Sequence, residues 1–356
     1  MIRFGVVWDV GGWHEKFRDA VATKKREGLD LESEILRFDD AMWQERAEQC
    51  DVILWNPGYM GPRIASLFKE RVYFLQEHLG KLVVPNFQTV WHYESKISQS
   101  FLFARYDVPT PRTFVTSSYA AARDELRRSE FPLVFKKSHG ASSRNVRLIR
   151  TQSTALKVVS RIFCQQLWDE AKHSRQSPFL AAVASLPHSW FWAKAVQRIL
   201  GRERFGLAYW QEFIPGNDAD LRLAVFGDRY VAGFWRRNRP HDFRASGSGR
   251  IDYERPIPEG AIRLCVGISK RLGFDSMAYD LLLRNGSFVV TEMSYSFIDT
   301  ALFDAAGHYE IDEQGAIRFI PGHRWPQEFW VTWALLRHSR PGTAASSVLQ
   351  SAEQKS

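Results

Sequence analysis

The sequence predicts a protein that is α/β at its start and α+β beyond. Three observations carry this reading. Residues 1 to about 90 alternate apolar, β-rich runs with helical stretches, a βαβαβαβ order that builds a parallel sheet with helices on both faces. A proline-set run, Val108-Pro-Thr-Pro-Arg-Thr-Phe-Val115, then breaks the alternation and marks a domain boundary. Beyond it, apolar strands are joined by tight turns, most plainly at Asn285-Gly286, where two residues that tolerate positive φ sit between two apolar runs.

The elements follow in order. Residues 3–8 read as a buried first strand, 13–26 as a helix that Gly28 ends, and 33–38 as a second strand. A short helix over 41–49 precedes a strand over 51–55 and a turn at Asn56-Pro57-Gly58. Residues 61–79 are helical and 81–85 form a fourth strand. A helix is expected over 91–106, then strands over 108–115, 131–137 and 146–149, with the small-residue loop 138–145 between the last two. Residues 150–207 are helix-rich, basic and aromatic. A strand over 208–214, a hairpin turning near Gly227-Asp228, an Arg/Gly/Ser-rich loop over 236–250, a helix over 260–272 and the Asn285-Gly286 hairpin complete the pattern. Residues after about 340 have the composition of a disordered tail.

Composition narrows the class of function. The chain has 356 residues, 45% of them hydrophobic, enough for two or three domains. No run approaches the ~18 consecutive apolar residues of a spanning helix, and the first residues lack the regions of a signal peptide. Cys50, Cys164 and Cys265 show neither metal spacing nor a disulfide framework, so a cytoplasmic setting is expected. A net charge of +8 favours an anionic partner without choosing one. There is no G-x-G-x-x-G run, so no dinucleotide site is expected.

The chemistry concentrates late in the chain. The Asn285-Gly286 hairpin folds Asp280 and Glu292 towards each other from two strands. Paired carboxylates repel unless a cation lies between them, and hard oxygens beside phosphates suit Mg²⁺. Two exposed acids on an amphipathic hairpin are the alternative. Upstream stand Lys96 before the proline boundary, Lys136 at the end of an apolar strand, Gln211-Glu212-Phe213-Ile214 at a strand end, Asp220-Leu-Arg222, Arg236, and Asp242-Phe-Arg244. In this order the motifs resemble the ATP-grasp superfamily, most closely its RimK-like branch of carboxylate–amine ligases, over about residues 81–300.

The resemblance implies an ATP-grasp fold. Its parts would be a pre-ATP-grasp domain over 1–90, a lid over 91–210, a C-terminal subdomain over 211–338 and a tail over 339–356. It implies Mg·ATP, with one or two ions and Mn²⁺ as a substitute. Lys96 and Lys136 would meet the phosphates, and Ser142 and Ser143 would lie in the loop over them. Gln211, Glu212, Phe213 and Ile214 would form the adenine hinge, and Asp220 would accept from the ribose. Asp280, Glu292 and Ser294 would hold metal. Arg222, Arg236 and Arg244 would stand near the transferred phosphoryl group, where a planar guanidinium binds oxygens in pairs. The implied reaction joins an acidic carboxylate substrate to an amine through an acyl phosphate. Each residue also has a structural alternative: Lys96 as a solvated helix lysine, Asp220 with Arg222 as a surface pair, Gln211 as a satisfied strand residue.

The chain departs from the family pattern in three ways. Ser294 and Ser246 stand where asparagine is usual, and the loop at 138–145 has a single glycine, Gly140. These exchanges keep open an ATP-binding module with little or no ligase activity, and a phosphotransferase. The 76 residues from Lys136 to Glu212 are also roughly twice the span expected for this branch. The surplus carries Trp190-Phe-Trp192 beside Lys194, Arg198, Arg202 and Arg204. A helical cover on the lid is one reading, and a peripheral membrane contact through 180–204, at the inner face of a membrane, is another. Nucleic acid lacks any companion motif, and a homodimer is left open. The substrate is expected at the Asp9-Val-Gly-Gly-Trp-His14 loop, at the carboxyl end of the first strand.

Overall fold

The computed structural model describes residues 1–56, 62–93, 95–136, 146–173 and 205–339. The chain divides into two compact units, Met1–Glu94 with Asp218–Ser356, and Ser95–Asn217.

The first unit contains two sheets. Strands β1 (Ile2–Val7), β2 (Leu31–Leu36), β3 (Val52–Leu54) and β4 (Leu82–Val84) form a parallel sheet in the order β2-β1-β3-β4. Helix Trp13–Arg26 provides the crossover from β1 to β2, with Trp13, Phe17, Ala20 and Val21 buried at the i, i+4, i+7, i+8 spacing of one face. The expected helix over 61–79 is Pro62–Tyr73 followed by one π-helical turn, Phe74–His78. The expected second strand begins and ends two residues earlier than its apolar pattern suggests, because β2 pairs with β1 from Leu31 onwards.

The second sheet is antiparallel and runs β13-β12-β9-β10-β14-β15, with β11 (Ile251–Asp252) paired to β10. Its strands are β9 (Ala219–Phe226), β10 (Tyr230–Arg237), β12 (Ser276–Arg284), β13 (Ser287–Ser294), β14 (Gly307–Ile311) and β15 (Ile317–Pro321). Asn285 and Gly286 both take positive φ, 50° and 81°, as the tight turn between β12 and β13 requires. Helix Glu259–Leu272 covers one face, where Ser269 Oγ and Tyr279 Oη lie 2.8 Å apart. The opposite face carries Phe226, which stacks on Phe329 of helix Pro326–His338 and meets Phe297. Trp330 of that helix is fully buried against Trp13 and Phe17, so the helix also closes over the parallel sheet. Beneath it, buried Asp275 accepts from Asn86 N, Trp333 Nε1 and Arg337, and so ties the chain after β4 to the last helix.

The second unit holds β5 (Thr113–Ser118), β6 (Leu133–Lys136), β7 (Val146–Ile149) and β8 (Phe205–Glu212) in the antiparallel order β5-β8-β6-β7. Helices Tyr119–Arg128 and Gln152–His173 bury Ala122, Leu126, Ala155, Val159 and Phe163 against Phe135 and Trp210. The helix expected over 91–106 is Lys96–Arg105, and a separate short helix, Phe87–Val90, precedes it in the first unit. Ser95 starts Lys96–Arg105 by accepting from Ser98 N, which satisfies one of its unpaired donors. Within 150–207 the described helix ends at His173, and the Trp190-Phe-Trp192 cluster and its basic neighbours lie outside the described residues, as does the expected tail beyond 339. Among the described residues no helix is long and apolar enough to cross a membrane.

Candidate active site

Strand register assembles the site. Asp220 and Arg222 are two apart on β9 and share a face. β10 sets Arg236 opposite Asp220, and β12 sets Asp280 opposite Arg222. β13 then sets Glu292 opposite Asp280. All five side chains therefore belong to the face that also carries Phe226, away from helix Glu259–Leu272.

The last pairing depends on a bulge. Regular pairing from the Asn285-Gly286 turn holds as far as Leu281 opposite Val290, and would place Thr291 opposite Asp280. Instead the register shifts between Asp280 and Leu281, so Thr291 is the extra residue, and its hydroxyl donates to Asp280 O at 3.1 Å. A one-residue shift reverses the face of everything beyond it. The bulge thus turns Glu292 onto the Asp280 face.

Direct contacts join Arg222, Asp280, Arg236 and Asp220. Arg222 donates from Nε to Asp280 Oδ1 at 2.8 Å and from Nη2 to Oδ2 at 2.9 Å. Arg236 donates from Nε to Asp220 Oδ1 at 2.7 Å and from Nη2 to Asp220 Oδ2 at 2.6 Å, and its Nη2 also meets Asp280 Oδ2 at 2.8 Å. Two carboxylates and two guanidiniums alternate along the row, largely out of water. Burial by itself would raise the Asp280 carboxyl, but Arg222 and Arg236 outweigh it and hold the group well below the usual carboxylate range. Burial pushes Asp220 up, and the negative charge of Asp280 adds to it, against the pull of Arg236 and Arg222. Arg236 is pulled down by burial and up by both carboxylates, which prevail and keep it charged.

The other expected residues make contacts of their own. Arg244 folds back on Asp242 in the loop after β10, with Nε to Oδ2 at 2.9 Å, and Asp242 is lowered by that bond. Ser246 accepts from Arg239 through its carbonyl at 2.7 Å. Ser294 Oγ donates to Ser296 O at 2.8 Å and accepts from Ser296 N at 3.2 Å. In the second unit, Lys96 is only 6% exposed, which removes the solvated-lysine alternative. Lys136 ends β6 opposite Val146. Gln211 is buried inside β8 with Nε2 donating to Thr113 Oγ1 at 3.0 Å, Glu212 pairs with Leu133, Phe213 is half-buried and Ile214 is buried. Ser142 and Ser143, with the rest of the loop at 138–145, lie outside the described residues.

The donor set can be tested against a metal. Among the described residues no three His, Cys, Asp or Glu side chains cluster, so protein groups alone would not enclose an ion. Two opposed carboxylates with open positions for phosphate oxygens are the arrangement by which Mg²⁺ is held with a nucleotide. Asp280 and Glu292 are opposed on one face as that arrangement requires, with the Asp280 oxygens also held by Arg222 and Arg236, and Ser294, turned to backbone, does not complete it. Thr291 is the contributor that pattern reading passed over. Its signal was the twelve-residue separation of the acids across a two-residue turn, which regular pairing places on opposite faces.

No protein-family model matches the chain. Among curated proteins, alpha-aminoadipate–LysW ligase LysX of Saccharolobus solfataricus is 22% identical over 222 residues, which is 62% of this chain and 68% of that protein. Among solved structures, D-cycloserine synthetase DcsG superposes with a TM-score of 0.58 over 95% of this chain and 100% of its own, at 14% identity. A RimK domain ATP-grasp protein from Sphaerobacter thermophilus gives a TM-score of 0.50 over 84% of this chain and 93% of its own, at 16% identity. The chain has the ATP-grasp fold, and it is similar in sequence to the LysX ligase and in structure to the RimK domain ATP-grasp protein.

Proposed function

We propose that the protein is an ATP-dependent ligase that joins a carboxylate to an amine. The observation that carries this reading is the row Glu292–Asp280–Arg222–Arg236 on one face of an ATP-grasp sheet, with acids opposed for a metal and guanidiniums beside them. Mg²⁺ held by Asp280 and Glu292 would neutralise charge on the β- and γ-phosphates of ATP. The substrate carboxylate oxygen attacks the γ-phosphorus as the bond to ADP breaks, giving an acyl phosphate. The amine then forms the C–N bond as phosphate leaves. Arg222 and Arg236 supply fixed positive charge where it develops on the transferring group, which costs no reorganisation at the moment of reaction. No nucleophilic side chain is needed. Lys96 and Lys136 are assigned to the phosphates and residues 211–214 to the adenine. Asp220, spent on Arg236, orients that guanidinium in addition to any ribose contact.

ADP release with a pool of amino acids, dicarboxylic acids and uronic acids tests the proposal. Asp280→Asn and Glu292→Gln are each expected to abolish Mg·ATP turnover while circular dichroism stays unchanged. Undiminished turnover in Glu292→Gln would sink the site assignment. A second reading, an ATP-binding module without ligase activity, draws on one observation: both oxygens of Asp280 are held by arginines, and Ser294 Oγ is held by backbone. Calorimetric ATP binding with no ADP formed under any mixture would favour it. Among the described residues and in the comparisons nothing carries a homodimer, and the segment 180–204 named for the membrane contact lies outside the described residues.

A further inference from the structure

We propose that Arg222 is an exchangeable counter-ion for Asp280: it holds the carboxylate that a divalent cation must reach, and gives it up when the phosphates of a nucleotide take the guanidinium. The inference rests on the Mg·ATP assignment in the reading above.

Asp280 has few lone pairs to spare. Arg222 donates to Oδ1 from Nε at 2.8 Å and to Oδ2 from Nη2 at 2.9 Å, and Arg236 Nη2 meets Oδ2 at 2.8 Å. That is three donors on a carboxylate with about four lone-pair sites. A divalent cation binds carboxylate oxygens directly, at about 2.1 Å for Mg²⁺, so it competes with the guanidiniums for the same lone pairs. It also meets their like charge at a buried carboxylate, where water screens little.

The two guanidiniums are not equivalent. Arg236 is anchored elsewhere: Nε and Nη2 hold both oxygens of Asp220 at 2.7 and 2.6 Å, and its side chain is 8% exposed. Loss of its contact with Asp280 leaves it in place. Arg222 has both arms of its fork on Asp280 and is 20% exposed. The register sets Arg222, Asp280 and Glu292 side by side on three strands, so an anion carried by a cation at the two acids arrives next to Arg222.

A guanidinium fork fits phosphate oxygens as well as carboxylate oxygens. The nucleotide therefore supplies the exchange. Its phosphates take the Arg222 fork, and Asp280 is left for the cation. The exchange belongs to binding and precedes any phosphoryl transfer. A cation alone would have to strand Arg222, and a nucleotide alone would have to strand Asp280, so the two bind with positive coupling.

The test is calorimetry on the full chain. Mn²⁺ titrated without nucleotide should bind the wild-type chain weakly and Arg222→Met about tenfold more tightly or better, since one like charge and two competing donors are gone. Arg222→Gln, also neutral, should gain in the same direction and decides the matter if circular dichroism shows Arg222→Met unfolded. Adding Asp280→Asn to either variant should abolish the gain. Arg237→Met takes the same charge from the opposite face of β10 and should change nothing. The nucleotide half is read with ATP in EDTA: Asp280→Asn frees Arg222 and should tighten ATP, by a smaller factor once Arg222 is methionine. Equal Mn²⁺ affinity in the wild type and the Arg222 variants would overturn the proposal. So would an Mn²⁺ gain that survives Asp280→Asn or appears in Arg237→Met, or an ATP gain that is missing or does not depend on Arg222. Neither titration involves ligation. Both gains with no ADP formed from any acid–amine mixture would refute the ligase reading and leave the exchange standing, and turnover without them would do the reverse.

Discussion

Replacing Arg236 by methionine tests the energetics of the row. Arg236 is 7% exposed and touches both Asp220 and Asp280. Each contact is a unit-charge pair worth ~4 kcal/mol of attraction at about 4 Å in a surface-like dielectric. Against this stands the cost of keeping a guanidinium out of water, which methionine, of similar length, removes. The net is the usual price of breaking a buried pair from one side, about 3–5 kcal/mol. Proton uptake by Asp220, already pushed up by burial, limits the loss to that range. Urea unfolding followed by circular dichroism reads it. Asp220→Asn in the same chain removes one of the stranded charges, so the double variant should be less destabilised than the sum of the singles by about 1.5 kcal/mol or more. The acid limb gives a second reading. Asp280 is held below its unfolded value, so its contribution is present above about pH 3.9 and is lost as pH falls through the folded value. That acid loss should be shallower in Arg236→Met. A destabilisation under about 1 kcal/mol, or strict additivity with Asp220→Asn, would refute the claim that Arg236 is held by both acids.

Three further outcomes follow from buried groups. A Cβ at Gly233 would fall against the Arg222 carbonyl oxygen and Leu223, so Gly233→Ala should cost about 1–3 kcal/mol by overpacking and weaken Mg·ATP turnover by displacing β9; an unchanged urea midpoint would contradict this. Burial, with Lys69 adding to it, lowers the His92 imidazole to about 3, so the folded protein stays unprotonated there while the unfolded chain takes up a proton below about pH 6.5. Stability should therefore fall between pH 6.5 and the lowered value by up to about 1.4 kcal/mol per pH unit, and His92→Phe should flatten that slope; parallel pH profiles would rule it out. Burial and the Glu34 contact push the Cys50 thiol up to about 12, and burial raises Cys265 well above the ordinary range. In a Cys164→Ser background neither should react with Ellman's reagent before unfolding, and prompt native labelling would show that these pockets open.

The fold was readable where one period or one turn dominated. The 13–26 helix matches its apolar spacing residue for residue, and Asn285-Gly286 gave the hairpin because little else suits two positive φ values in succession. Reading was poorer where tertiary pairing set the ends. β2 begins at Leu31 because β1 is there to pair with it, and the helix expected over 91–106 begins only at Lys96, where Ser95 caps it. Strands β14 and β15 and the final helix went unread. Their short, mixed patterns make sense only beside β10 and over Trp13.

The candidate site divides along the same line. The hairpin itself marked Asp280 and Glu292, and the order of residue types, through its resemblance to the ATP-grasp pattern, marked Asp220, Arg222 and Arg236. Their connectivity was not marked. Asp220 looked like a ribose acceptor, yet its oxygens are committed to Arg236 by a cross-strand register that spacing along one strand does not disclose. The carboxylate pair shows the limit most clearly. Counted back from the turn, Glu292 falls opposite Tyr279, on the face covered by helix Glu259–Leu272, and the two acids would not meet. Only the extra residue at Thr291, anchored to the Asp280 carbonyl, brings them to one side. An uninterrupted hairpin would make a steadier sheet. A bulge at this one position is therefore best understood as the local irregularity on which the pairing of the two acids depends.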